Sequence, residues 1–159
     1  MDKTLIAYFS ASGETARLAR TLAAVTGGDL YEIEPAQPYT AADLDWNDKG
    51  SRSTLEMKDP ASRPAIGGRA ADVSRYDTVF VGFPIWWYEA PRIIHTFLEG
   101  HDFSGKTVIP FATSGGSGLG RTGDVLKKTC PAARFLPGVR LSSRATADQV
   151  SAWVKSLGV

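Results

Sequence analysis

Hydroxyl groups, glycines and aromatic rings gather at three places in this chain, and each gathering suggests a chemistry. Ser10-Ala11-Ser12-Gly13-Glu14-Thr15 sets three hydroxyls and a glycine directly before a helical pattern. At a helix N-terminus, free backbone N–H groups and the dipole favour an anion, and hydroxyls add donors. The loop holds no Lys or Arg, so a phosphate there would be held by neutral donors. It lacks the Gly-x-x-x-x-Gly-Lys-Ser/Thr spacing of a nucleoside triphosphate loop, and it has no cysteine of the thiol phosphatase kind. The plainer alternative is an ordinary N-cap supplied by Ser10 or Ser12.

The second gathering is Pro84-Ile85-Trp86-Trp87-Tyr88-Glu89-Ala90-Pro91. Connections run over the surface, so three adjacent aromatic residues suit stacking against a flat aromatic ligand. Alternatively, one Trp packs inward and the other covers a neighbouring loop. The third is Thr113-Ser114-Gly115-Gly116-Ser117-Gly118-Leu119-Gly120, whose glycines let backbone N–H groups approach a ligand edge. Gly118-Leu119-Gly120-Arg121-Thr122-Gly123 formally reads Gly-x-Gly-x-x-Gly. It does not follow a strand directly, however, and beyond neighbouring Asp124 the next acid is Asp148, 25 residues past Gly123. That is not a dinucleotide fingerprint.

Each gathering follows a predicted strand. Leu5 to Phe9, Thr78 to Phe83 and Thr107 to Ala112 are short apolar runs of the kind buried on both faces. Asp29 to Glu34 alternates as a less buried strand, and Phe135 to Leu141 is the candidate for the last one. Helices are expected over Glu14 to Val25, after Pro91 through Leu98, around Thr122 to Lys128, and over Thr146 to Leu157, where Trp153 belongs to the core stripe. Such alternation predicts an α/β fold with a doubly wound parallel sheet, whose ligands bind beyond the carboxyl ends of the strands. The segment Pro35 to Tyr76 is too long for a simple crossover. It is expected to hold one helix near Ala41 to Met57 behind Thr40, then a Pro/Gly loop.

At 159 residues the chain is expected to form a single domain over residues 1–159. One cysteine, Cys130, leaves no internal disulfide and no zinc site built on a Cys pair, and is expected to be structural. The longest apolar stretch, Val79 to Tyr88, is broken by Gly82 and Pro84 and falls short of the about 18 residues of a membrane span. A soluble cytoplasmic protein without membrane or nucleic-acid partners is the expectation. The net charge of +1 conceals a gradient: residues 1–100 carry 10 Lys/Arg against 14 Asp/Glu, and residues 101–159 carry 8 against 3. Asp29 to Asp48 holds six acids and no base, ordinarily a solvated face, alternatively a docking surface for a basic partner. His95 and His101 fall in or beside the third helix; neither reads as catalytic, and His101 suits a cation at the helix C-terminus.

Taken in order, the three loops resemble the flavodoxin family, whose phosphate loop reads Ser/Thr-x-Thr-Gly-x-Thr. Further phrases match a bacterial flavodoxin-like subgroup of short-chain form: Trp46 and Ser51-Arg52, Arg63-Pro64, Gly82 to Trp87, Phe103-Ser104-Gly105-Lys106-Thr107, and Pro110 to Gly118. The resemblance implies a five-stranded sheet of order 2-1-3-4-5, with FMN at the switch point between the first and third strands. It implies that the Ser10, Ser12 and Thr15 hydroxyls, with N–H groups from Ala11, Ser12, Gly13, Glu14 and Thr15, hold the FMN phosphate. Trp86 or Trp87 would flank the ring, main chain at Pro84 and Ile85 would meet ring or ribityl atoms, and Thr113, Ser114, Gly115 and Gly116 would offer donors to the pyrimidine edge.

Two departures stand out. Glu14 replaces the Asn of many relatives, which a phosphate would tolerate only if the carboxylate points to solvent. Trp86 to Ala90 also lacks the glycine that in carriers eases a positive φ, implying a poorly stabilised one-electron-reduced flavin. The resemblance therefore implies a redox protein moving electrons between a reductase and an acceptor. An NAD(P)H-dependent FMN oxidoreductase reducing quinones or similar acceptors is the alternative, since carriers are usually strongly acidic and this chain is not. A module using the same loops for a ligand other than flavin is a third class.

Overall fold

A computed structural model describes residues 3–113, 119 and 122–159. Ser114, Gly115 and Gly116 of the third loop therefore lie outside the described residues. The chain runs β1 (Thr4–Tyr8), α1 (Glu14–Thr26), β2 (Asp29–Glu32), α2 (Arg52–Lys58), a 3-10 turn (Val73–Arg75), β3 (Thr78–Pro84), α3 (Arg92–Glu99), β4 (Thr107–Thr113), α4 (Thr122–Thr129), β5 (Arg134–Phe135), β6 (Val139–Arg140) and α5 (Ala147–Leu157). All strand pairings are parallel, in the order β2-β1-β3-β4-β5, with β6 also on β4. This is the expected doubly wound order. No helix among the described residues is long and apolar enough to cross a membrane.

Strand periodicity divides the core between the two faces of the sheet. Leu5, Ala7 and Phe9 face one side with Val79, Val81 and Phe83, covered by Ile93, Ile94 and Phe97 of α3. Ile6 and Phe80 face the other with Ile109 and Phe111, covered by Leu18 and Leu22 of α1 and Val150 of α5. Trp153 packs edge-on to Phe80 at 5.7 Å, in the core role expected of it. Thr146 caps α5 through a full capping box with Gln149.

Two elements differ from expectation. The last strand splits into β5 and β6 around Pro137-Gly138. Thr107 N–H donates toward the β3 side, while the carbonyls of Val108 and Ala112 accept from Leu136 and Leu141 on the other side. By alternation, Pro110 presents its missing N–H to the β5–β6 side, so the break falls where the ladder has no donor to offer.

The expected helix from Ala41 to Met57 shrinks to α2. Thr40 does cap a turn: its Oγ1 accepts from Asp43 N–H at 3.1 Å, and Asp43 Oδ2 accepts from Thr40 N–H at 2.9 Å. The turn does not propagate, because Asp45 and Asp48 carboxylates accept from Asn47 and Gly50 N–H groups and hold the chain in local turns instead. Ser51 then starts α2 as its N-cap.

Candidate functional site

The sheet order reverses direction between β1 and β3, opening a crevice at their carboxyl ends. The first loop lies at this crevice. Gly13 is the N-cap of α1, at φ 89°, and no side chain caps the helix from that position. Instead Ser10 Oγ reaches in from three residues earlier and accepts from Gly13 N–H at 3.1 Å and Ala16 N–H at 3.2 Å. Ser10, one of the two residues expected as an ordinary cap, thus caps at a distance, and Ser12 stays exposed. Among the described residues, the N–H groups of Ala11, Ser12, Glu14 and Thr15 have no protein acceptor. Glu14 is exposed, which meets the condition set for a carboxylate beside an anion.

Thr15 is buried, and its Oγ1 lies 2.8 Å from Thr113 Oγ1 at the end of β4. The Thr113 carbonyl in turn accepts from Ile85 N–H at 3.0 Å, so all three loops are tied at one point.

The second loop is a tight hairpin. Trp86 and Glu89 exchange backbone hydrogen bonds of 2.9 and 3.0 Å, and the two residues between them, Trp87 and Tyr88, take φ of 48° and 65°. Two central residues with positive φ define a type I′ turn, which ordinarily selects Asn-Gly. The positive φ for which the sequence offers no glycine is therefore adopted by bulky aromatic residues, at about 1–2 kcal/mol each. Replacing Tyr88 with glycine is expected to raise apoprotein stability by about 1 kcal/mol in urea unfolding. A loss of stability instead would show that the Tyr88 side chain holds the turn.

The two tryptophans part ways. Trp86 packs edge-on against Phe9 at 5.6 Å and Tyr39 at 5.4 Å, while Trp87 is 42% exposed. Tyr39 is itself clamped: its hydroxyl donates to Glu56, and the Arg52 guanidinium lies 3.8 Å from its ring centroid. Burial, reinforced by Glu56, raises the Tyr39 pKa far above its ordinary value. Arg52 also donates to Glu56 and to the Gln37 carbonyl, and Arg63 pairs with Glu99 through two 2.9 Å bonds. Both arginines are thus engaged within the insert and its support.

A cavity of about 810 Å³ lies between these parts, within the size range of small-molecule sites. Ala11 and Ser12 line it from the first loop, and Pro84, Ile85, Trp86 and Trp87 from the second. Tyr88 completes the aromatic triplet on this wall, and three further lining residues were not among the expected site residues: Leu44, Trp46 and Ser53 of the insert. The Trp46 and Ser51-Arg52 phrases were the only sequence signal pointing at that wall.

The two histidines lie elsewhere. His101 packs on Phe97 at 5.0 Å and Phe103 at 6.2 Å, and burial pushes its pKa below the usual imidazole value. Its role is aromatic packing, contrary to the expected cation at the helix end. Cys130 is buried and its thiol pKa is raised by desolvation, consistent with an inert structural thiol.

The flavodoxin family model matches residues 3–157. A protein of Bacteroides eggerthii described as a flavoprotein is 55% identical, with a TM-score of 0.95 over 100% of this chain and 99% of that one. A second, from Bacteroides uniformis, is 51% identical at TM-score 0.93 over 97% and 98%. The flavoprotein of Lactobacillus acidophilus, solved in complex with FMN, shares the fold at TM-score 0.76 and 21% identity over the full length of both chains. No curated protein matches the sequence.

Proposed function

Because this chain belongs to the flavodoxin family, we propose that it binds FMN in the 810 Å³ cavity and passes electrons between a reductase and an acceptor. The observation that carries this reading is the meeting of two unlike surfaces at one crevice. Unpartnered N–H groups at the start of α1 suit a phosphate, and an aromatic-lined cavity beside them suits a ring. Bound FMN would supply the redox chemistry itself, and the protein supplies binding, access and electrostatics.

In this reading Ser12 and the N–H groups of Ala11, Ser12, Gly13, Glu14 and Thr15 hold the phosphate. Ser10 Oγ now occupies two N–H donors, those of Gly13 and Ala16, and rotating it frees the Gly13 donor for the anion. Thr15 contributes through its backbone and through its hydroxyl link to Thr113. The Trp86 ring is fixed by Phe9 and Tyr39, so it offers a rigid edge, while Trp87 in the turn offers an exposed face. Pro84 and Ile85 bring main chain to the same wall.

The test is titration of apoprotein with FMN, followed by flavin fluorescence and the visible spectrum. One-to-one binding with quenching is expected, and riboflavin should bind more weakly because it lacks the phosphate. Failure to take up FMN overturns the reading.

A second reading, an NAD(P)H-dependent FMN oxidoreductase acting on quinones or similar acceptors, is favoured by one observation. The cavity extends past the loops to Leu44 and Trp46, leaving an apolar wall for a second flat molecule. Stopped-flow mixing of the FMN-loaded protein with NADPH or NADH separates the two. A carrier leaves the nicotinamide unconsumed until its reductase is added.

A further inference from the structure

We propose that Ser53, in the insert between β2 and β3, is a ligand of the isoalloxazine ring, so that α2 forms a third wall of the flavin site. The inference rests on the FMN reading above and adds to it a residue outside the three loops.

Ser53 is 2% exposed and lines the cavity, and its Oγ has no hydrogen-bond partner among the described residues. Its neighbours in α2 are all satisfied. Ser51 Oγ donates to Thr54 Oγ1 at 2.9 Å, and Thr54 Oγ1 donates to the Asp48 carbonyl at 3.0 Å. A serine inside a helix can turn its hydroxyl to the carbonyl four residues earlier. Ser53 is the second residue of α2, so that carbonyl lies outside the helix and the route is closed. The position is also held in place, because Ser53 N–H donates to the Asp43 carbonyl at 3.0 Å and anchors α2 to the capped turn at Thr40. Buried hydroxyls without partners cost stability and are rare. Here the residue that carries the orphan stands on the wall of a cavity whose other hydroxyl-bearing lining residues are Ser12 and Tyr88, the rest being apolar or aromatic.

The isoalloxazine edge carries both carbonyl oxygens and a ring N–H. A hydroxyl can donate to the first or accept from the second, so it satisfies either edge. The phosphate is excluded as its partner by role, since the donors for that group stand at the start of α1.

Removing this hydroxyl should act in opposite directions on the two states of the protein, which a purely structural serine would not do. In Ser53→Ala the apoprotein melts at a higher temperature than wild type, because an unsatisfied buried group is gone. FMN binding, measured by fluorescence quenching, weakens about tenfold, the loss of one hydrogen bond. Riboflavin binding weakens by the same factor, because the contact is to the ring. Equal affinity of wild type and Ser53→Ala for FMN overturns the proposal, and so does a loss confined to FMN. A wild-type protein that binds neither flavin overturns the function on which it rests, a distinct result.

Discussion

Replacing Gly82 with alanine is expected to destabilise the fold by about 3 kcal/mol. Gly82 lies in β3, opposite Tyr8 on one side and Phe111 on the other. A Cβ on Gly82 would sit 2.2 Å from Phe111 Cζ and 2.4 Å from Cε2, far inside van der Waals contact. The Phe111 ring is fully buried between the sheet and the α1–α5 layer, so it cannot swing aside without displacing Ile109 or Leu18 neighbours. The Gly82 carbonyl also accepts from Phe9 N–H at 2.9 Å where the chain leaves β1 for the first loop. Strain at this residue therefore reaches the crevice, and weaker FMN binding should accompany the loss of stability.

Urea unfolding of four proteins checks the cause: wild type, Gly82→Ala, Phe111→Ala and the double variant. Phe111→Ala alone costs about 3–5 kcal/mol for its cavity. The double variant should fall about 2 kcal/mol short of the sum, because the added methyl partly fills the space the ring vacates. Strict additivity would show that the clash is relieved elsewhere.

Gly82 illustrates what was legible in the sequence and what was not. Its place inside an apolar run was plain, and so were the strand, the loop after it and the helix begun by Pro91. Those features are written in local pattern: continuous apolar runs and a proline at a helix start. The reason for Gly82 was not local, since it depends on a phenylalanine 29 positions later that lands across the ladder.

The same holds for the split last strand. Pro137-Gly138 signalled a weak element, yet the matching defect is Pro110 on the neighbouring strand. In the insert, Thr40 caps a turn as its sequence position suggests, but the competing carboxylates of Asp45 and Asp48 stop its helix after one turn. Within the candidate site, hydroxyl, glycine and aromatic composition located two walls. The third wall comes from a segment whose meaning lies in its folding back over the crevice, and Ser53 became distinctive only once its hydroxyl proved to lack a partner. The positive φ at Trp87 and Tyr88 ran against residue preference, and such departures are expected where a turn serves a ligand more than the fold.

Acid should remove about 3 kcal/mol of stability through His95 alone, which does not line the 810 Å³ cavity. His95 is 4% exposed on α3, its Nδ1 is 2.6 Å from Thr129 Oγ1, and its Nε2 has no partner among the described residues. Burial, with Arg63 and Arg92 nearby and only Glu99 opposing them, lowers its pKa from 6.5 to about 4. Protonation would place a cation, and an N–H with nothing to accept it, among arginines already paired with Glu99 and Glu89.

The sign follows from the direction of that shift. Above pH 6.5 the imidazole is neutral in both folded and unfolded chains, and its contribution is fully present. Between pH 6.5 and about 4 the unfolded chain takes up a proton that the folded one refuses, so stability falls by about 1.36 kcal/mol per pH unit. Below about 4 the folded state protonates too and this group adds no further slope. Carboxylates held low by hydrogen bonds, Asp72 and Asp102 among them, act at still lower pH and are common to any His95 variant. Urea unfolding of wild type and His95→Gln at pH 7, 6, 5 and 4.5 isolates the effect. The wild type should lose about 2–3 kcal/mol more than the variant across that range, with the gap opening below pH 6.5. Parallel curves would mean that the buried imidazole reaches water, or finds an acceptor, when it is charged.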